Sequence, residues 1–229
     1  MPSIREKRGS FATLIAERIG SVWTGEYLSV DVRELPAEHL PNPRSAAAFI
    51  ITGSAANVPD REAWMLKTEA YLRDLVSSGA PVFGICFGHQ ILAQALGGLV
   101  IKNPRGREMG TKSIERKADD FIFEGLNTSF FVNATHIDTV AQIPPGAHVL
   151  ARSPLDDHQV IRFSSTCYGV QFHPEFDAEV MRGYISGRRS ILENEGFSVD
   201  AMLEQAEDGS DAQRILQNFV KRVVLQNPG

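Results

Sequence analysis

Apolar positions along the chain fall into short β-branched and aromatic runs separated by longer stretches with helical spacing. This alternation is the signature of parallel strands joined by crossover helices. The runs predict strands over residues 27–32, 48–52, 82–85, 99–102, 130–133, 148–152, 160–163 and 167–172. Helical spacing predicts helices over 11–19, 61–78, 88–95, 178–195 and 212–225. From about residue 99 to 172 no long helical pattern appears, and turns at Asn103-Pro104 and Pro144-Pro145-Gly146 mark this part as a β-rich, antiparallel extension. The first ten residues are too polar for the buried strand with which an α/β domain usually opens, so that strand is expected to be missing or unusual.

At 229 residues the chain can bury about 70% of its unfolded surface, enough for a core without disulfide or metal staples. No repeat or low-complexity linker interrupts it, and a single domain over residues 1–229 is expected. Hydrophobic residues make up 43% and charged residues 22%, within the ordinary globular range. The net charge of -5, with Lys and Arg scattered, argues against a nucleic-acid partner. The absence of an apolar run of about 20 residues or of a signal-peptide pattern argues against a membrane and for the cytoplasm. Two cysteines, Cys86 and Cys167, therefore read as reduced thiols.

The stretch GICFGHQ, residues 84–90, places Cys86 between the apolar run 81–85 and a helical pattern in which Ile91, Leu92 and Leu96 share a face. A side chain on a sharp strand-to-helix turn projects above the sheet from a strained backbone, and flanking glycines relieve the crowding; Gly84-Ile85-Cys86-Phe87-Gly88 is a cysteine version of that elbow. A helix N-terminus and a nearby imidazolium both favour the thiolate over the thiol. Cys167, in a strand-like run without glycine framing, reads as core packing. The stretch YGVQFHPEF, residues 168–176, sets His173 and Glu175 two apart just after a predicted strand, so both side chains can be presented at the sheet edge where open α/β sheets bind ligands. Cysteine, histidine and carboxylate are the parts of an acyl-transfer site. No third ligand with metal spacing accompanies His173, so no metal is expected.

With GICFGHQ, YGVQFHPEF and Thr52-Gly53-Ser54 together, the chain resembles the class I glutamine amidotransferases over most of its length, and most of all members related to the amidotransferase domain of GMP synthetase. The resemblance implies a three-layer fold, an open and mostly parallel flavodoxin-like sheet flanked by helices with a small antiparallel extension. It implies a catalytic triad of Cys86, His173 and Glu175, an oxyanion hole from the backbone N–H groups of Gly53 and Phe87, and substrate contacts from Gln90, His136, Ile137 and Asp138. It marks Gly106-Arg107-Glu108-Met109-Gly110 as a structural turn. The family's first strand and the loop after it are not visible, and Ser54 replaces the second glycine of the oxyanion loop. The implied activity is release of ammonia from glutamine without a cofactor, with any ammonia-accepting synthetase a separate subunit. Hydrolysis of γ-glutamyl peptides or conjugates by the same triad is the alternative, and a non-catalytic glutamine-binding subunit a third.

Overall fold

The computed structural model describes residues 6–226. Among the elements that lie wholly within the described residues, nine strands and seven α-helices form one larger sheet, one two-stranded sheet and two helical layers. Helix α1 (Phe11–Ile19) precedes strand β1 (Phe49–Ile51), and helix α2 (Ala63–Ser77) leads to β2 (Val82–Ile85), α3 (Phe87–Ala95) and β3 (Leu99–Lys102). Strands β4 (Glu108–Arg116), β5 (Ser129–His136), β6 (Asp138–Gln142), β7 (His148–Arg152), β8 (Val160–Arg162) and β9 (Cys167–Val170) then follow without an intervening α-helix. Helices α4 (Ala178–Ser186), α5 (Arg189–Asn194), α6 (Val199–Glu204) and α7 (Ser210–Phe219) close the described chain, α7 running on into a π-turn over Val220–Val224.

The seven-stranded sheet has the order β1-β2-β9-β8-β7-β4-β5, and β3 pairs with β6 in the small sheet. Only β1, β2 and β9 run parallel; β9-β8, β8-β7, β7-β4 and β4-β5 are antiparallel. The expected three-layer fold with an antiparallel extension is present, but the sheet is mixed rather than mostly parallel. β9 and β8, β8 and β7, and β5 and β4 are consecutive strands joined without a crossover helix and so pair antiparallel, β4 meets β7 antiparallel across the intervening β5 and β6, and parallel pairing needs a crossover. The two crossovers here, through α2 and through the long β-rich excursion, account for the parallel pairs β1-β2 and β2-β9.

Alternation along β2 and β9 divides the core. Val82 and Cys167 face a cluster with Met65 and Leu72 of α2 and Ile91 and Leu92 of α3, while Phe83, Ile85 and Tyr168 face Ile15 and Ile19 of α1 and Ile215, Leu216 and Phe219 of α7. A third cluster gathers α4 and α5 around Met109 and Phe176. Cys167 is fully buried core, as expected, and burial pushes its thiol pKa up.

Several expected elements differ. Residues 27–32 form no strand: Leu28 is 84% exposed, and the segment that follows is tied to α2 by Lys67 Nζ donating to Leu35 O and by Tyr71 Oη donating to Pro41 O at 2.8 Å. Strand propensity expresses packing on a pleated surface, and without a neighbouring strand it is not realised. The expected helix over 178–195 breaks at Gly187 and Arg188 into α4 and α5. Residues 108–110, read as part of a turn, open the nine-residue strand β4, whose partners on β5 lie far along the chain.

Contact between α3 and the parallel strands requires glycine at three positions. A Cβ on Gly88 would lie 2.0 Å from Ile51 O, one on Gly84 2.6 Å from Leu92 Cδ1, and one on Gly169 2.6 Å from His89 Nδ1. The clash at Gly88 is with backbone, which no side-chain rotation relieves. Gly88→Ala is therefore expected to destabilise the fold by roughly 3 kcal/mol or more, a fall in Tm of about 6 °C or more for a chain of this size, read by thermal denaturation against Gly79→Ala. Gly79 has open space around its Cα, and its positive φ of 78° makes that control a measure of backbone strain alone.

Candidate active site

Strand β2 runs into α3 through Cys86, which adopts φ 51° and ψ -102°. A non-glycine residue held there stores on the order of 1–3 kcal/mol of strain, which its neighbours must hold in place. The restraint is visible: Cys86 N–H donates to Val170 O at 2.8 Å, and Gln90 N–H donates to Cys86 O at 3.0 Å, closing the first helical turn. The sulfur is thereby set at the C-terminal edge of the parallel strands, at the head of α3. Cys86 is 7% exposed.

His173 and Glu175 follow β9 on the adjoining strand end. His173 N–H donates to Asn133 O at 2.8 Å, and Phe176 N–H turns back to His173 O at 3.2 Å. Asn133 of β5 secures that turn from its side chain, donating to Phe176 O at 3.0 Å and Glu207 O at 2.9 Å while accepting from Thr111 Oγ1 at 2.9 Å. The imidazole stacks on Phe176, with ring centroids 4.2 Å apart and planes 16° from parallel, and Phe11 of α1 stacks at 6.2 Å. Its Nδ1 lies 2.7 Å from Glu175 Oε1, and the ring interacts electrostatically with Cys86. With Nδ1 engaged, Nε2 is the nitrogen left for the sulfur. Burial opposes charging of the imidazole, but the Glu175 carboxylate, the Cys86 sulfur and the hydrogen bond to Glu175 outweigh it and raise the His173 pKa to about 10.

Gly53 lies against this imidazole: a Cβ there would come within 2.9 Å of His173 Cε1. Phe87, the first residue of α3, is buried and stacks on Trp64 with centroids 5.6 Å apart. Gly53 and Phe87 thus flank the Cys86–His173 pair from β1 and from α3.

The expected substrate residues behave differently from one another. Gln90 Nε2 donates to Asp138 O at 2.9 Å and to Gln171 Oε1 at 3.0 Å, joining α3 to the start of β6. His136 ends β5 with both ring nitrogens engaged, Nε2 with Glu108 Oε2 at 3.1 Å and Nδ1 with Asp138 O at 3.0 Å. Burial disfavours its charged form, yet the hydrogen bond to Glu108 and the nearby Asp156 and Glu108 carboxylates raise its pKa. Its imidazole therefore has no free polar atom for a ligand. Ile137 contributes its carbonyl to Asn103 N–H at 2.8 Å. The Asp138 carboxyl is shifted upward, chiefly by burial.

Two residues at this site escape a reading of the sequence. Glu108, at the start of β4, accepts from Ser153 Oγ at 3.0 Å as well as meeting His136. Gln171 donates from Nε2 to Cys86 Sγ at 3.6 Å. The same period of two that pairs His173 with Glu175 includes Gln171, and it is the signal that would have found it.

The geometry is that of a buried cysteine at a helix N-terminus, with a glycine loop against an imidazole that a carboxylate holds by a hydrogen bond. Among the described residues no helix is long and apolar enough to cross a membrane. Residues 10–188 match the profile of the glutamine amidotransferase class-I family. A GMP synthase [glutamine-hydrolyzing] from Thermomicrobium roseum is 37% identical over 166 residues, covering 72% of this chain but 29% of the relative. Gamma-glutamyl peptidase 5 from Arabidopsis thaliana is 30% identical over 182 residues, covering 76% of this chain and 72% of the relative. Among solved structures, a glutamine amidotransferase from Thermotoga maritima superposes with a TM-score of 0.67 at 24% identity, covering 77% of this chain and 78% of that one. A glutamine amido transferase from Methylobacillus Flagellatus superposes with a TM-score of 0.64 at 26% identity, covering 83% and 77%. On the profile match and these relatives, the chain belongs to the class-I glutamine amidotransferase family.

Proposed function

We propose that the protein hydrolyses the side-chain amide of glutamine and releases ammonia. The observation that carries this reading is a strained elbow cysteine, Cys86, in electrostatic interaction with the imidazole of His173, whose Nδ1 lies 2.7 Å from the buried Glu175 carboxylate. The Cys86 sulfur attacks the carboxamide carbon, and the oxyanion that forms is met by the backbone N–H groups of Gly53 and Phe87. One such donor is worth roughly a hundredfold to a thousandfold in rate. His173 gives its proton to the departing nitrogen, leaving a γ-glutamyl thioester and ammonia. It then takes a proton from water as the water attacks the thioester, which returns the thiol and glutamate. Glu175 holds the imidazole in the tautomer and orientation that both steps need.

The family relationship to GMP synthases, of which this chain spans about a third, supports delivery of the ammonia to a synthetase partner. A γ-glutamyl peptide is the second substrate class, supported by the resemblance to a γ-glutamyl peptidase over 72% of that relative's length. Both substrates present the same γ-glutamyl carbonyl to Cys86, so the triad serves either.

Cys86→Ala is expected to abolish ammonia release from glutamine and the γ-glutamyl adduct seen by mass spectrometry on the Cys86 peptide. Equal release by wild type and variant would refute the assignment. Turnover of glutamine is expected to exceed that of γ-glutamyl dipeptides in a side-by-side assay, and the reverse order would transfer the function to the peptidase reading.

The raised pKa of His173 sets a pH dependence. The imidazolium needed to protonate the leaving nitrogen persists until pH rises through about 10, so the alkaline limb of kcat/KM for glutamine is expected near that pH. Glu175 is the first of the influences that favour the charged ring, so Glu175→Gln should move the limb to lower pH and cut kcat by roughly a hundredfold or more. A limb in the same place in both proteins would show that Glu175 does not act through His173.

A further inference from the structure

The side chain of Gln171 is fully buried, immediately after β9 and two residues before His173. Which end of its amide meets the Cys86 sulfur is decided by its neighbours, because oxygen and nitrogen of an amide are told apart only by the bonds around them. Asp138 O is a carbonyl and only accepts, so the Gln90 atom 2.9 Å away is its NH2 group. That group has a second hydrogen, and the atom 3.0 Å away on Gln171 must accept it, which makes that atom Oε1. The remaining Gln171 atom, Nε2, then faces Cys86 Sγ at 3.6 Å as a donor. A backbone carbonyl on β6 thus fixes, through two glutamine amides, an N–H aimed at the sulfur.

We propose that Gln171 is a positioning residue for the nucleophile: it donates a hydrogen bond to the Cys86 thiolate, with its amide held in the donating orientation by Gln90 and the Asp138 carbonyl. The proposal rests on Cys86 being the attacking group. A hydrogen bond stabilises a charged acceptor more than a neutral one, so the contact favours thiolate over thiol and holds the sulfur in one rotamer. It also gives Gln90 a role at the site that needs no contact with substrate, because both hydrogens of its amide are already used inside the protein.

The other charged and titratable groups that act electrostatically on this sulfur are His173, with Glu175 behind it, and His136, Tyr184 and Arg188. All are retained in variants at position 171, so a difference between those variants and wild type isolates the amide. The test is the rate of Cys86 alkylation by iodoacetamide, followed by mass spectrometry of the Cys86 peptide from pH 5 to 10 in the full chain, for wild type, Gln171→Met, Gln171→Glu and Gln90→Met. Gln171→Met keeps the side-chain length and removes the donor; at neutral pH its alkylation is expected to be slower by roughly tenfold to a hundredfold, with the profile moved to higher pH. Gln171→Glu places an acceptor beside the sulfur and should slow it further, while Gln90→Met, which frees the Gln171 amide to rotate, should give a smaller effect in the same direction. In glutamine hydrolysis kcat should fall with KM within about twofold.

Profiles that coincide with wild type in folded Gln171→Met and Gln171→Glu would overturn the proposal, as would a raised KM with unchanged kcat, which would place Gln171 on the substrate. Should Gln171→Met not fold, Gln171→Glu and Gln90→Met carry the same comparison. Alkylation does not depend on glutamine being the substrate. A wild type that alkylates as described yet fails to turn over glutamine would therefore count against the proposed function and leave the role of Gln171 standing.

Discussion

Helix α3 approaches strand β1 so closely that one added carbon at Gly88 would sit 2.0 Å from Ile51 O, and this approach governs what the rest of the molecule can do. Helix and strand can touch only if the chain turns within a single residue after β2, and that residue, Cys86, is forced to φ 51°. The turn is held from both sides, by Val170 O on β9 and by the first hydrogen bond of α3. The strain at Cys86 is thus the local cost of a packing arrangement that the core clusters on both faces of β2 make worthwhile. Because β1 and β9 are the two neighbours of β2, the strand ends carrying Gly53 and His173 arrive beside the sulfur as a consequence of pairing alone.

Once the strands are paired, the site becomes a problem of burying polar groups without stranding them. His173 is flanked by Phe176 and Phe11, which restrict where the ring can go, and Glu175 determines which nitrogen carries the proton on that side. The antiparallel half of the sheet performs the corresponding service deeper in. Glu108 of β4, His136 of β5 and the carbonyl that opens β6 satisfy one another, and Gln90 and Gln171 link them to the sulfur. The β-rich excursion between α3 and β9 therefore does more than widen the sheet, since it provides Asp138 O, the acceptor for the Gln90 amide that in turn meets Gln171 beside the Cys86 sulfur.

The parts of this arrangement written in local sequence were legible there. Gly84 and Gly88 around Cys86 announce a turn because glycine spacing and the change from strand to helix periodicity coincide within a few residues, and the period of two linking His173 to Glu175 is equally local. What could not be read depends on partners distant in the chain. Strand β4 pairs with β5 and β7, and its own residues include a glycine and alternate weakly, so Glu108 passed for part of a turn. Residues 27–32 have the composition of a strand and lack a neighbour to pair with. His136 was legible as a polar residue near the site, but its engagement with Glu108 was not, because the two meet only through the register Glu108↔His136.

The distribution of the site along the chain has a temporal consequence. Cys86 and Gln171 are separated by 85 residues, and His173 and Glu175 lie further on still. During synthesis the cysteine leaves the ribosome long before these three residues do. Until β9 inserts beside β2, Cys86 sits on a glycine-rich turn with none of them beside it. On the proposed mechanism the chemistry is switched on by the last strand to be made, so a truncated or half-folded chain carries the thiol without its site.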